Sequence, residues 1–114
     1  MEIKYKIVLV PFPFDDLNLQ KVRPAICLTE AVGKFEHVIV AYITSRIPGD
    51  AEKCDVIIES TSLGFDKTGL ILTSVIRLHR VMTIPSNIIK REIGHLPDQL
   101  KIEVTTKLRR LFFE

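Results

Sequence analysis

The most informative part of this sequence reads IVLVPFPFDDLNLQKVRPAICLT and covers residues 7–29. An apolar run ends in a corner of prolines and phenylalanines, a polar segment follows, and a second apolar run opens with Arg23 and Pro24. Two short apolar runs around a polar segment predict two β-strands joined by a loop. Proline has no amide hydrogen to donate, so these prolines are expected at strand ends and edges. Arg23 is therefore expected where a strand leaves a loop, which is a place where functional residues often lie.

The chain beyond this stretch continues to alternate apolar segments with turn residues. Gly33 and the Pro-Gly pair at 48–49 mark turns on either side of one such segment. The predicted strands lie at about 5–12, 22–29, 37–44, 54–59, 69–73 and 75–83. The stretch at 87–96 is ambiguous, and a strand that ends at residue 94 is the preferred interpretation. Apolar residues of the second and third strands alternate between two faces, and we allow for one helical turn in the loop at 60–67.

The hydrophobic pattern changes near the C-terminus. Apolar side chains now recur at the spacing of one helix face, at Leu100, Val104, Leu108, Leu111 and Phe112. Proline and aspartate suit the first turn of such a helix, and basic residues suit its last turn. We therefore predict an amphipathic helix over about 98–112, packed through its leucines and Val104. Several strands followed by one helix predict a mainly β fold, a twisted sheet or small barrel of about five to seven strands covered by the helix.

Composition and charge limit the class of protein. With 114 residues, the chain is expected to form one domain over 1–114. Hydrophobic residues make up 46% and charged residues 26%, as in ordinary globular proteins. No apolar run approaches the roughly 18 residues of a membrane helix, and the start does not read as a signal peptide, so we expect a cytoplasmic protein. The net charge of +2 is compatible with binding phosphate but is too small to indicate nucleic acid by itself.

The cysteines and histidines do not predict a metal site. Cys27 and Cys54 each lie in an apolar run, which favours buried free thiols over a disulfide. His37, His79 and His95 are far apart in the sequence, and none has a second Cys or His at metal-ligand spacing. We therefore expect neither a structural zinc ion nor a cofactor.

Strand pairing places two polar side chains together. If the second and third strands pair antiparallel around Gly33 and Lys34, facing residues have numbers that add up to about 67. Arg23 and Thr44 satisfy this condition, and their Cβ atoms would then be about 5 Å apart on the same face. A guanidinium group beside a hydroxyl can hold a phosphodiester. The plainer interpretations are a surface arginine and an ordinary β-branched strand residue.

The ordered motifs resemble a known family. Residues 7–14 read IVLVPFPF, residues 21–28 read KVRPAICL, and residues 69–77 read GLILTSVIR. Together they resemble the PemK/MazF-like toxins, the small endoribonucleases of bacterial type II toxin–antitoxin systems. The usual Gly-Asp before the first strand is replaced here by Tyr-Lys at 5–6. The resemblance implies an SH3-like β-barrel with a C-terminal helix, a homodimer, and a cognate antitoxin as partner.

The resemblance also assigns roles to three residues. Arg23 matches the catalytic arginine of the family and would stabilise the charged phosphorane. Thr44 matches the threonine that closes the third strand and would hold a non-bridging phosphate oxygen. Ser74 stands where some relatives carry a catalytic aspartate. A serine cannot act as a general base at neutral pH, and Ser74 could equally hydrogen-bond a neighbouring backbone group.

Further candidate RNA contacts lie around these three residues. Lys21 and Arg77 are basic and could contact phosphates, although solvated surface charge is the default interpretation of each. Asp16 and Asn18 in the first loop, and Ser45 after the third strand, complete the predicted RNA-binding set. For the two loop residues, simple loop polarity is the plainer interpretation.

The activity implied by the resemblance is cleavage of single-stranded RNA without a metal ion. The RNA 2′-hydroxyl would be the nucleophile, and a 2′,3′-cyclic phosphate would remain. An alternative is a non-catalytic toxin or binding module on the same barrel, such as a gyrase inhibitor or a decayed toxin that keeps only antitoxin binding. The pairing of Arg23 with Thr44 favours the nuclease, because a docking toxin works through its C-terminal helix and does not need this pair.

Overall fold

The structure is a computed structural model, and it describes residues 2–11, 22–49 and 52–114. Within these residues the chain forms six strands and one α-helix. The strands are β1 (Lys6–Pro11), β2 (Val22–Cys27), β3 (His37–Thr44), β4 (Asp55–Ile58), β5 (Ser74–Pro85) and β6 (Arg91–His95), and the helix is α1 (Asp98–Phe113). The prediction of a mainly β fold with a C-terminal helix is confirmed.

All six strands belong to one antiparallel sheet with the order β4-β5-β3-β2-β1-β6. The sheet curls into a half-barrel, and β4 and β6 form its two edges. The longest strand, β5, pairs with both β3 and β4. This topology brings the ends of β1, β2, β3 and β6, which are far apart in sequence, into one region of the sheet.

The two central strands β2 and β3 are buried on both faces. Ile26 and Ile43 belong to the core cluster on the face that α1 covers, whereas Ala25 and Val40 belong to the cluster on the opposite face. The alternation predicted for these strands is confirmed. Burial on both faces explains why their sequences read as nearly continuous apolar runs rather than as alternating apolar and polar residues.

Helix α1 packs on the sheet through its first three turns. Leu100 and Val104 are part of the core, and Leu108 packs against it while still partly exposed. Leu111 and Phe112 are 40% and 61% exposed, so the predicted apolar stripe is wrong at its end. The last turn of α1 therefore lies outside the core cluster that the sheet and the earlier helix residues form. Among the described helices, none is long and apolar enough to cross a membrane.

The predicted strand at 69–73 is wrong, because this segment is a loop. A 3₁₀ turn, Phe65–Thr68, precedes it and confirms the helical turn allowed for in 60–67. Gly69 has φ +76°, and a Cβ at this position would collide with the Ile93 carbonyl group. The left-handed backbone ends the turn and redirects the chain, so regular pairing begins only at Ser74. A Cβ at Gly94 would likewise overlap the carbonyl groups of the turn.

Both cysteines are free thiols, as predicted, but the predicted burial is wrong for Cys54. Cys27 is buried, whereas Cys54 is partly exposed. Burial raises the pKa of the Cys27 thiol to about 12, and the negative charges of Glu92 and Glu30 act in the same direction. Cys27 therefore stays protonated near neutral pH and is expected to be chemically inert.

Candidate active site

A cleft of about 410 Å³ opens where β1, β2, β3 and β6 meet the loop at 69–72. It brings together four residues predicted from the sequence: Arg23, Thr44, Ser45 and Ser74. They come from different parts of the chain and meet only because the sheet is curled and antiparallel. The cleft is the natural candidate for a binding site, since it combines apolar walls with a few convergent polar groups.

The observed pairing of β2 with β3 has the predicted register. Ala25 faces Tyr42 and Cys27 faces Val40, and both pairs of residue numbers add up to 67. Continued by two residues toward the cleft, the same register places Arg23 across from Thr44. The turn between the strands is closed by a bridge between Val32 and His37, whose numbers add up to 69, so the register shifts by two between the paired strands and the turn.

Thr44 ends β3 with a half-buried side chain. Its Oγ1 atom accepts the backbone N–H of Arg46 at 3.1 Å. A hydroxyl that accepts one N–H can still donate its own hydrogen, for example to a phosphate oxygen. Arg23, at the start of β2 and also half-buried, offers a planar guanidinium group that remains protonated in proteins. The two side chains therefore supply donors to the same cleft.

Ser74 lies at the inner end of the cleft and is only 3% exposed. Its Oγ atom donates to the Leu72 carbonyl oxygen at 2.8 Å. This bond links the loop at 69–72 to the first residue of β5. Of the two interpretations drawn from the sequence, the backbone hydrogen bond is the one seen in this geometry.

A second cation in the cleft, Arg91, was missed by the sequence analysis. Leu9 of β1 lies between Pro24 of β2 and Arg91 of β6 in the sheet. Two strand spacings separate the Cα atoms of Pro24 and Arg91 by about 10 Å. The exposed Arg91 side chain thus lies across the cleft from β2. The sequence carried no signal for it, because the segment around residue 91 had no clear periodicity.

Exposed apolar side chains form one wall of the cleft. Ile71 is 89% exposed, and Leu72 is also exposed, although both are large aliphatic residues. These two side chains are not buried in the core, and they lie beside the polar groups of the cleft. Their exposure is consistent with a ligand that presents both charge and a flat apolar surface.

Among the predicted contacts that the structure describes, Arg77 does not line the cleft. Arg77 lies on β5, where its Nε atom pairs with Asp55 Oδ1 at 2.8 Å. Its side chain is mostly buried, so a structural ion pair is the direct interpretation of this residue. Lys21, Asp16 and Asn18 lie outside the described residues, and their RNA contacts remain predictions.

These features define a class of small, mainly β protein with a curled antiparallel sheet, a C-terminal helix and a cleft that carries two arginines. A family model described as PemK-like, MazF-like toxin of type II toxin–antitoxin system matches residues 4–112. The chain therefore belongs to the PemK/MazF-like toxin family. No relative was found among curated protein sequences.

Several solved structures share the fold. The Mycobacterium tuberculosis toxin MazF-mt6 is 24% identical with a TM-score of 0.69, and the match covers 94% of this chain and 95% of the toxin. MazF from Deinococcus radiodurans is 18% identical with a TM-score of 0.72, covering 99% and 97% of the two chains. An endoribonuclease in complex with its cognate antitoxin, from a mycobacterial species, is 11% identical with a TM-score of 0.69, covering 100% and 98%. At these identities the similarity shows a common fold.

Proposed function

We propose that this protein is an endoribonuclease toxin that cleaves single-stranded RNA without a metal ion. The observation that carries the proposal is the β2–β3 register, which brings Arg23 and Thr44 to one cleft. A guanidinium group with its fork of donors, next to a hydroxyl, is suited to a phosphodiester. Family membership supports the same assignment.

The chemistry requires little from the protein, because the RNA carries its own nucleophile. The 2′-oxygen forms a bond to phosphorus, the bond from phosphorus to the 5′-oxygen breaks, and a 2′,3′-cyclic phosphate remains. The 2′-hydroxyl loses one proton and the 5′-oxygen gains one, so the step is balanced. The protein holds the 2′-oxygen in line and stabilises the extra negative charge in the transition state.

Five residues of the cleft have a part in this proposal. Arg23 neutralises the developing charge on the phosphorane, and Thr44 donates to a non-bridging oxygen. Arg91, on the opposite side, binds an adjacent phosphate. Ser45 lines the same cleft and is a further donor. Ser74 takes a positioning role, because its hydroxyl holds the loop that carries Ile71 and Leu72.

The test is incubation of the purified protein with a mixed RNA pool in the presence of EDTA, followed by mapping of the ends. We expect internal cuts at a limited set of sequences, with a 2′,3′-cyclic phosphate on the upstream fragment and a 5′-hydroxyl on the downstream one. RNA that is bound but stays intact would contradict the nuclease and favour a non-catalytic binder. Cleavage that disappears with EDTA would contradict the metal-independent mechanism.

We also propose that the protein is a homodimer. The helix groove, defined by Tyr5, Ile39, Val81, Leu108 and Phe112, is an apolar depression of about 310 Å³ between α1 and the sheet. Phe113 at the end of α1 also lines this groove and is exposed. A second copy that covers this surface would bury the end of the apolar stripe, which the single chain leaves in solvent.

The partner proposed for the basic cleft is an antitoxin with an acidic, disordered tail that folds on binding. An antitoxin accompanies one of the structurally similar endoribonucleases. Co-expression with the gene encoded beside the toxin is expected to restore growth and to yield a complex containing two toxin chains, measured by light scattering. A toxic protein that no neighbouring gene suppresses would contradict the antitoxin, and a complex with a single toxin chain would contradict the dimer.

A further inference from the structure

A second cluster of reactive side chains lies on β4 and β5, outside the cleft. One ligand atom from each of Cys54, Asp55 and His79 lies within 4.8 Å of the others. The Cys54 Sγ atom is 3.2 Å from His79 Nδ1. These residues share no position with the lining of the cleft. Thiol, carboxylate and imidazole are the side chains from which protein zinc sites are built.

Strand irregularity brings His79 to this cluster. The pairing of β3 with β5 shifts between Ala41, which faces Val81, and Tyr42, which faces Arg77. Residues 78–80 therefore have no regular partner on β3, and a bulge of this kind redirects side chains. Because β4 begins opposite Arg77, the redirected His79 meets Cys54, which immediately precedes the strand.

The distance between the sulfur and nitrogen atoms is close to that of a zinc site. In a tetrahedral zinc site, Zn–S and Zn–N bonds of about 2.3 and 2.0 Å place the sulfur and nitrogen about 3.5 Å apart. The observed 3.2 Å between Cys54 Sγ and His79 Nδ1 is within a few tenths of an ångström of this value. Zinc binding would require this separation to widen by about 0.3 Å.

Asp55 is held in place by hydrogen bonds that leave it able to bind an ion. Its Oδ1 atom accepts from Arg77 Nε at 2.8 Å, and its Oδ2 atom accepts the backbone N–H of Glu52 at 2.8 Å. Each carboxylate oxygen has a second lone pair available. Hydrogen bonds of this kind orient metal-binding carboxylates and keep their ligand atoms in position. Asp55 is thus a preorganised ligand rather than a flexible surface acid.

Charge and access set the identity and strength of the site. Cys54 is partly exposed and His79 is exposed, so an ion can enter from solvent. A thiolate and a carboxylate bring negative charge to the ion, although the carboxylate is shared with Arg77. The sulfur and nitrogen donors select zinc over magnesium or calcium. Arg77 and Lys107, whose Nζ atom lies 2.7 Å from the Asp55 carbonyl oxygen, oppose the ion. The affinity is therefore expected to be lower than that of closed four-ligand sites.

We propose that Cys54, Asp55 and His79 bind a zinc ion that ties the start of β4 to the bulge of β5. Water completes the coordination, as in other sites with three protein ligands. Sequence spacing gave no indication of zinc, because Cys54 and His79 are far apart in the chain and meet only through strand pairing. The ion has no part in the proposed RNA cleavage, since none of its ligands lines the cleft.

Cobalt titration tests the site independently of RNA cleavage. Adding Co²⁺ to the reduced, metal-free protein is expected to produce a thiolate-to-cobalt absorption band in the near ultraviolet. The band should saturate at one ion per chain and disappear when Zn²⁺ is added. Cys54→Ser is expected to abolish the band. His79→Ala is expected to weaken cobalt binding at least ~10-fold, because even the loss of a group that hydrogen-bonds a metal ligand costs about this much affinity.

Two control variants keep the result interpretable. His95→Ala removes another exposed imidazole, and Cys27→Ala removes the buried thiol, and both should bind cobalt like the original protein. Because His79 is exposed, His79→Ala is expected to fold, and circular dichroism checks this for every variant. No saturable band, or a band that survives in both Cys54→Ser and His79→Ala, would overturn the proposal. So would a band that depends on Cys27 or His95.

Discussion

Arg23→Ala is expected to lower the rate of RNA cleavage by at least ~10²- to 10³-fold, the cost of removing one donor that stabilises transition-state charge. The side chain is half-buried at the edge of a cleft and is not a member of either core cluster. The fold should therefore survive, with an unchanged circular dichroism spectrum and little change in thermal unfolding. Single-turnover cleavage of one mapped site measures the effect on the chemical step separately from binding.

Matched variants show whether cleavage needs the planar guanidinium group of Arg23 or only its positive charge. Arg23→Lys is expected to recover little activity, because an ammonium group cannot make the two parallel contacts of a guanidinium group. Arg110→Ala removes the same charge from an exposed position on α1, away from the cleft, and should cleave normally. Thr44→Ala should lose less activity than Arg23→Ala, and Ser74→Ala less still. Full activity in Arg23→Ala would refute the assignment of this residue.

A single 2′-deoxy nucleotide on the 5′ side of the cut is expected to abolish cleavage at that site. The proposed reaction has no nucleophile other than the 2′-hydroxyl, so removing it should stop the reaction rather than slow it. Binding should persist, because the contacts proposed for Arg23 and Arg91 are to phosphates, which the deoxy substrate keeps. Cleavage on a gel and binding by fluorescence anisotropy are measured on the same labelled oligonucleotide.

The position of the deoxy nucleotide provides the internal control. The same substitution one nucleotide further downstream leaves the reacting hydroxyl in place, and that substrate should be cut. Cleavage of the substrate that lacks the reacting hydroxyl would show that water or a protein group attacks instead. If both binding and cleavage are lost, the protein recognises the 2′-hydroxyl itself. The chemical groups at the ends of the RNA fragments then decide the mechanism.

The sequence by itself determined the local pattern of this protein. Strand alternation in residues 22–28 and 37–44 predicted which side chains lie on each face, and pairing around Gly33 and Lys34 predicted the number sum of 67 that the strands show. The predicted facing of Arg23 and Thr44 extends this register by two residues beyond the observed pairs. The start of α1 was equally visible, because a helical period of 3.6 residues is a local signal.

Only the tertiary structure decided which distant segments meet. Arg91 reaches the cleft because β6 pairs with β1. His79 meets Cys54 because β5 changes register along β3. Each of these depends on pairing between residues far apart in sequence, where a shift of one residue sends a side chain to the opposite face. Hydrophobic periodicity within one segment does not specify its pairing register with a distant strand. That register is defined only when the sheet has formed.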